Sequence, residues 1–145
     1  MPRPTLYIAS DHAGFRLKSR LIEARPDLPW RDLGPSSDAR VDYPDFAHAV
    51  AARVAEGAAR FGVLVCGSGI GMAMAANRHP AIRAAVLHHA TEARLTRAHN
   101  DANIACFGAR TTGVEVALDA LAAFLSTAYE GGRHDRRLAK LTPGG

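Results

Sequence analysis

Short apolar runs alternate along the chain with longer segments of helical period. Leu6-Tyr7-Ile8-Ala9 reads as a strand, and a helix follows over about 14–25. That helix turns Phe15, Leu17, Leu21 and Ile22 toward a core, and Pro26 and Pro29 end it. Arg31-Asp32-Leu33 makes a weak second strand, closed by Gly34 and the turn-rich Pro35-Ser36-Ser37-Asp38. Pro44 suits a first helical turn, and Phe46, Val50 and Val54 recur every four residues. Val63 to Cys66 is the clearest buried strand; a glycine loop follows, then a helix to about Asn77, broken by Pro80. Residues 82–87 predict a fourth strand, 91–99 a helix, 104–107 a fifth strand, 114–129 a long helix and 133–141 a short basic one. Five strands separated by helices specify an α/β fold, a three-layer α/β/α sandwich around a mostly parallel sheet. In such sheets ligands bind beyond the carboxyl ends of the strands. That rule picks out Ser10-Asp11-His12, the loop after Leu33, Cys66 to Gly71, His88-His89 and Gly108-Ala109-Arg110.

Composition narrows the class. A chain of 145 residues suits one domain over 1–145, and 48% hydrophobic with 22% charged residues excludes a disordered tail. The apolar run near the amino terminus is too short for a signal peptide. The weakly polar stretch 62–76 holds four glycines and falls short of a membrane span. Cys66 and Cys106 have no CxxC spacing, so they read as reduced thiols of a cytoplasmic protein, with no structural zinc site. The net charge of +4 is concentrated at the carboxyl end, where Arg133, Arg136, Arg137 and Lys140 face a single Asp135. Such a tail serves nucleic acid, an acidic membrane surface or a small anion, or is a solvated helix end. No aromatic residue interleaves the arginines, which disfavours nucleic acid.

The chemistry begins at Gly67-Ser68-Gly69-Ile70-Gly71, between a strand and a helix. Alternate glycines permit tight turns and close ligand approach, and the backbone N–H groups favour an anion. The same glycines also permit plain strand–helix packing. Met72 breaks a dinucleotide fingerprint and no lysine completes a P-loop. Cys66, last in its strand, faces those N–H groups, an environment that favours a thiolate. It reads as a base removing a proton beside a carbonyl or as a nucleophile. Cys106, inside the fifth strand, reads as a small core residue. His99-Asn100-Asp101-Ala102-Asn103 is either turn chemistry or a proton-passing His99 with Asn100 donating to an oxyanion. Asp11-His12 either caps a helix or contacts sugar hydroxyls and phosphate. The expectation is that these segments share one edge of the sheet.

Ser10-Asp11-His12-Ala13-Gly14-Phe15 with Leu17-Lys18, Cys66 to Gly71, His99 to Asn103, and Gly131-Gly132-Arg133-His134 with Arg136-Arg137 resemble the type B ribose-5-phosphate isomerases. The galactose-6-phosphate isomerase subunits belong to the same family. The resemblance runs from about Leu6 to Leu141. It implies a Rossmann-like fold, no metal or other cofactor, and a homodimer or tetramer whose sites draw on two chains. It also implies interconversion of an aldose and a ketose phosphate through an enediolate, as in the pentose phosphate pathway. Carried onto matching positions, Cys66 is the base between C1 and C2 with the Ser68 hydroxyl beside it. The N–H groups of Gly67, Ser68, Gly69, Ile70 and Gly71 and the Asn100 amide hold the enediolate oxygens. His99, aided by Asp11, opens the furanose ring. His12, Arg110, Arg133 and Arg137 surround the phosphate, and Tyr43 lines the sugar pocket. Many relatives carry threonine at Ser68, which keeps the hydroxyl. Some lack the cysteine and place glutamate where Met72 stands, but Met72 is no base, so the role falls on Cys66. Its partners are then a sugar phosphate and a second copy, with neither nucleic acid nor membrane. A six-carbon sugar phosphate, or a non-catalytic phosphosugar module, is the alternative.

Overall fold

Side chains alternate across the central strands, and the alternation splits the core in two. In this computed structural model, which describes residues 5–144, Ile8, Val63, Val65, Ala105 and Phe107 face one side. Tyr7, Ala9, Leu64, Cys66, Ile104 and Cys106 face the other. The strands are β1 (Leu6–Ser10), β2 (Trp30–Asp32), β3 (Phe61–Cys66), β4 (Ala84–Val86) and β5 (Ile104–Gly108). All pair in parallel, in the order β2-β1-β3-β5-β4, so the sheet is wholly rather than mostly parallel. The helices are α1 (Phe15–Ala24), α2 (Tyr43–Ala55), α3 (Ile70–Ala76), α4 (Ala90–Asn100), α5 (Val114–Ser126) and α6 (Arg133–Ala139). Leu17 and Leu21 of α1, Ala93 of α4 and Leu121 and Phe124 of α5 cover the first face. Val50 and Val54 of α2 and Met72 and Ala76 of α3 cover the second. The ends of the 1–145 span, residues 1–4 and 145, lie outside the described residues. Among the described residues no helix is long and apolar enough to cross a membrane.

Differences from the sequence reading sit at the edges of elements. β2 begins one residue early and β4 shrinks from 82–87 to three half-buried residues; each is an edge strand with a single neighbour. The long helix ends at Ser126, not Tyr129. The Ser126 hydroxyl donates to the Ala122 carbonyl at 2.8 Å and that of Thr127 to Ala123 at 2.7 Å, local bonds that bend a helix end. The chain then runs extended, and the Glu130 N–H donates to Ala98 of α4 at 3.0 Å.

Two buried cations pin the chain. Lys18 of α1 donates to Asp32 at 2.9 Å and to the Pro35 carbonyl at 2.7 Å, fixing the loop after β2. Arg97 of α4 is fully buried. Its guanidinium donates to the Asp101 carboxylate at 2.9 Å and to the carbonyls of Ala102 at 2.7 Å and Thr127 at 3.2 Å. It lies over the rings of Phe61 at 4.8 Å and Phe124 at 5.8 Å. One side chain thus joins the end of α4, the turn into β5 and the end of α5. Arg97→Ala is expected to cost about 3–5 kcal/mol, because it opens a cavity and strands buried carbonyls. Arg97→Lys recovers only part, lacking the planar fork. Denaturant midpoints of the three proteins measure this.

Candidate active site

β3 delivers Cys66 to the carboxyl edge of the sheet, and the chain must then turn sharply into α3. Gly69 makes that turn with φ +78°, a left-handed conformation in which any side chain is strained. The turn aims the Gly69 N–H at Cys66 Sγ, 3.1 Å away, and the Ile70 N–H at Ser68 Oγ, 3.2 Å away. Two of the loop donors named by the sequence reading therefore serve the protein's own thiol and hydroxyl. The N–H directed at the sulfur fixes where the thiol sits at the foot of the loop.

A cleft of about 610 Å³ opens over this loop. Asp11, His12, Tyr43, Cys66, Gly67, Ser68, Ile70, Gly71 and Arg110 line it, as does Met74, which sequence reasoning did not single out. Asp11 Oδ1 accepts the Gly14 N–H at 2.9 Å and its own N–H donates to Val65 at 3.1 Å. Asp11 thus ties the turn that leads into α1 rather than capping the helix, whose N-cap is Gly14 with no side-chain cap, and its carboxylate borders the cleft. His12 Nδ1 accepts the Val41 N–H at 3.3 Å, leaving Nε2 as its remaining polar atom. The Tyr43 ring packs against Gly71, where a Cβ would stand 2.5 Å from it, and Arg110 lies beside Gly67. His88 and His89 are outside the cleft; both engage Glu92, and His89 caps α4.

The expectation of one shared edge fails for His99-Asn100-Asp101-Ala102-Asn103. Those residues close α4 and enter β5 at its amino end, where the Gly62 N–H donates to Asn103 and the Asn103 N–H to Arg83. Strands of five to six residues separate the two edges by about 17–20 Å. Asp101 forms the turn with φ 48°, and Asn103 clamps Arg83 and Ala81 through its amide. Those two residues are turn chemistry. His99 and Asn100 are not used in this way. Half-exposed His99 lies beside Glu130 and His134, and exposed Asn100 lines a second cleft of about 420 Å³ with Arg83, Leu138 and Leu141. Arg133 and Arg137 stand one turn apart on α6, against α4 and so at this same amino edge. The predicted residues thus form two groups. One holds the thiol, Ser68, Asp11, His12, Tyr43 and Arg110, and the other holds His99, Asn100, Arg133 and Arg137.

Comparison with known proteins gives this arrangement a context. The ribose/galactose isomerase family matches residues 6–141. Ribose-5-phosphate isomerase B of Escherichia coli is 41% identical over 134 residues, spanning 91% of this chain and 90% of its own. The solved ribose 5-phosphate isomerase of Thermotoga maritima shares the fold with a TM-score of 0.93 at 42% identity, covering 96% of this chain and 97% of that one. Ribose-5-phosphate isomerase B of Mycoplasma genitalium, solved with bound ribulose-5-phosphate, gives 0.88 at 38% identity, over 94% and 92% of the two chains.

The two cysteines differ in chemistry. Burial, and after it the neighbouring Cys66, pushes the Cys106 thiol far above the ordinary cysteine range, so it stays protonated in the core. Iodoacetamide at neutral pH is expected to modify Cys66 in the folded protein and Cys106 only after unfolding, read by peptide mass spectrometry. Modification of both at similar rates would contradict the distinction.

Proposed function

The chain belongs to the ribose/galactose isomerase family, and we propose that it interconverts D-ribose 5-phosphate and D-ribulose 5-phosphate through an enediolate. It is an isomerase, and the reading of its individual residues rests on the chemistry of the two clefts. The Cys66 thiolate, held by the Gly69 N–H, takes the C2 proton of the open-chain aldose and returns it to C1. The Ser68 hydroxyl beside it relays the proton that passes from O2 to O1. The remaining loop N–H groups and the Asn100 amide balance the charge on the enediolate oxygens. Before that step His99 gives a proton to the ring oxygen as the C1–O bond breaks, and Asp11 takes the proton of the C1 hydroxyl. His12 and Arg110 hold the phosphate from one side and Arg133 and Arg137 from the other, with Tyr43 against the sugar.

Because the two groups of residues lie at opposite edges of one chain, each working site combines the carboxyl edge of one copy with the amino edge of another. A homodimer with two-fold symmetry satisfies both sites at once, and paired dimers would do the same as a tetramer. Exposed apolar residues support this docking. Ile70 and Met74 stand one turn apart on α3 at the rim of the Cys66 cleft, 51% and 61% exposed, and Leu141 is 61% exposed beside Asn100. The enzyme is a single domain of the cytoplasm in this reading, acting in the pentose phosphate pathway.

The observation that carries the assignment is the thiol at the foot of the cleft with an N–H directed at its sulfur. Cys66→Ala is expected to lower kcat for ribose 5-phosphate by about 10²–10⁴ while substrate binding, measured by calorimetry, stays within a few-fold. A variant retaining most of its turnover would move the base to another residue.

A further inference from the structure

His134 is buried, at 5% exposure, within a helix whose other polar residues face solvent, and its Nε2 has no hydrogen-bond partner. Its ring is stacked on that of His99, with centroids 4.6 Å apart and planes 22° from parallel. Glu130 Oε1 lies 3.5 Å from His134 Nε2 and 4.0 Å from His99 Nε2, so one carboxylate oxygen faces both imidazoles. The backbone builds this group on purpose-made geometry. The Glu130 N–H donates to Ala98, the residue before His99, which fixes the carboxylate's base against α4. Gly131 and Gly132 then turn the chain with φ +68° and +60°, backbone that side-chain-bearing residues rarely adopt, and deliver His134 beneath His99. Tyr129 closes the loop by donating to Asp135 at 2.6 Å.

The three ligand atoms lie within 4.8 Å of one another, yet the group is poorly shaped for a metal ion. Imidazole lone pairs lie in the ring plane, and an ion in the plane of one stacked ring stands well outside the plane of the other. Stacked rings sharing a carboxylate are instead suited to holding an orientation.

We propose that His134 and Glu130 are positioning residues for His99: the buried His134 ring sets the plane of the His99 ring, and the Glu130 carboxylate sets which nitrogen it turns away from the sugar. This rests on the reading of His99 as the acid that opens the furanose ring. Neither residue touches the substrate. The step they serve is confined to the cyclic aldose, because ribulose 5-phosphate, with its 5-hydroxyl esterified, has no furanose ring to open.

Two readouts on the full-length enzyme separate ring opening from enediolate formation. The first is turnover of ribose 5-phosphate. The second is deuterium wash-in from solvent at C1 of ribulose 5-phosphate, followed by NMR, which needs Cys66 but no ring opening. His134→Ala and Glu130→Gln are expected to lower kcat for ribose 5-phosphate by about ten- to a hundredfold, with KM and wash-in within about twofold. His134→Phe keeps a flat buried ring and is expected to restore at least half of the lost rate. Turnover within twofold of wild type in both His134→Ala and Glu130→Gln, while His99→Asn loses it, would overturn the platform and leave His99 standing. A raised KM at unchanged kcat would also overturn it, since the pair would then only seat Arg133 and Arg137. Full turnover in His99→Asn itself would overturn the reading of His99, and the platform with it.

Discussion

A parallel sheet forces every helix to run back against its strands, and this constraint divides the chemistry of the chain. Residues that follow a strand emerge at the carboxyl edge, and residues that end a helix emerge at the amino edge. Cys66 ends β3, whereas His99 lies in the last turn of α4, so no local rearrangement brings them together within one copy. The residues proposed as base and ring-opening acid each have an ordered environment, but these lie a strand's length apart. On the proposed roles, association of copies becomes part of the catalytic apparatus rather than an addition to it.

Each half is built by different means. At the carboxyl edge the backbone does most of the work: a left-handed glycine turns the loop so that N–H groups point at sulfur and hydroxyl. At the amino edge side chains do it. Arg97, buried between two phenylalanines, ties three chain segments to one guanidinium and so fixes the turn that carries His99 and Asn100. The Gly131-Gly132 corner brings α6 onto the same place, carrying His134 inward and Arg133 and Arg137 outward to the surface. This deeply buried cation is held by the carbonyls of Ala102 and Thr127 and the Asp101 carboxylate, and removing it would strand the buried carbonyl of Ala102.

Much of this was legible in the residues. The central strands β1, β3 and β5 announce themselves as unbroken apolar runs because both faces are covered, and the four-residue spacing of Phe46, Val50 and Val54 marks α2. Edge strands β2 and β4 are half-exposed and blur into their loops. The glycine loop and Asp11-His12 were readable because strand ends are where such folds bind ligands. The same rule, applied to helix ends, would have put His99 to Asn103 at the opposite edge; composition alone grouped them with the loop. Arg97 and His134 were not readable. Their burial depends on Phe61, Phe124 and Glu130, brought near by tertiary packing, and in sequence each looks like one more polar residue of a surface helix.

The central claim is that one site draws Cys66 and His99 from different copies, and mixing two inactive variants tests it most directly. Cys66→Ala and His99→Asn, each purified alone, are co-refolded in equal amounts and assayed for ribose 5-phosphate isomerisation. In a mixed dimer one site carries both lesions and the other none. Random pairing makes half the dimers mixed, so the account predicts recovery of roughly a quarter of wild-type activity. If each chain held a complete site of its own, every site would keep one lesion whatever the pairing, and activity no higher than that of the separate variants would contradict the account.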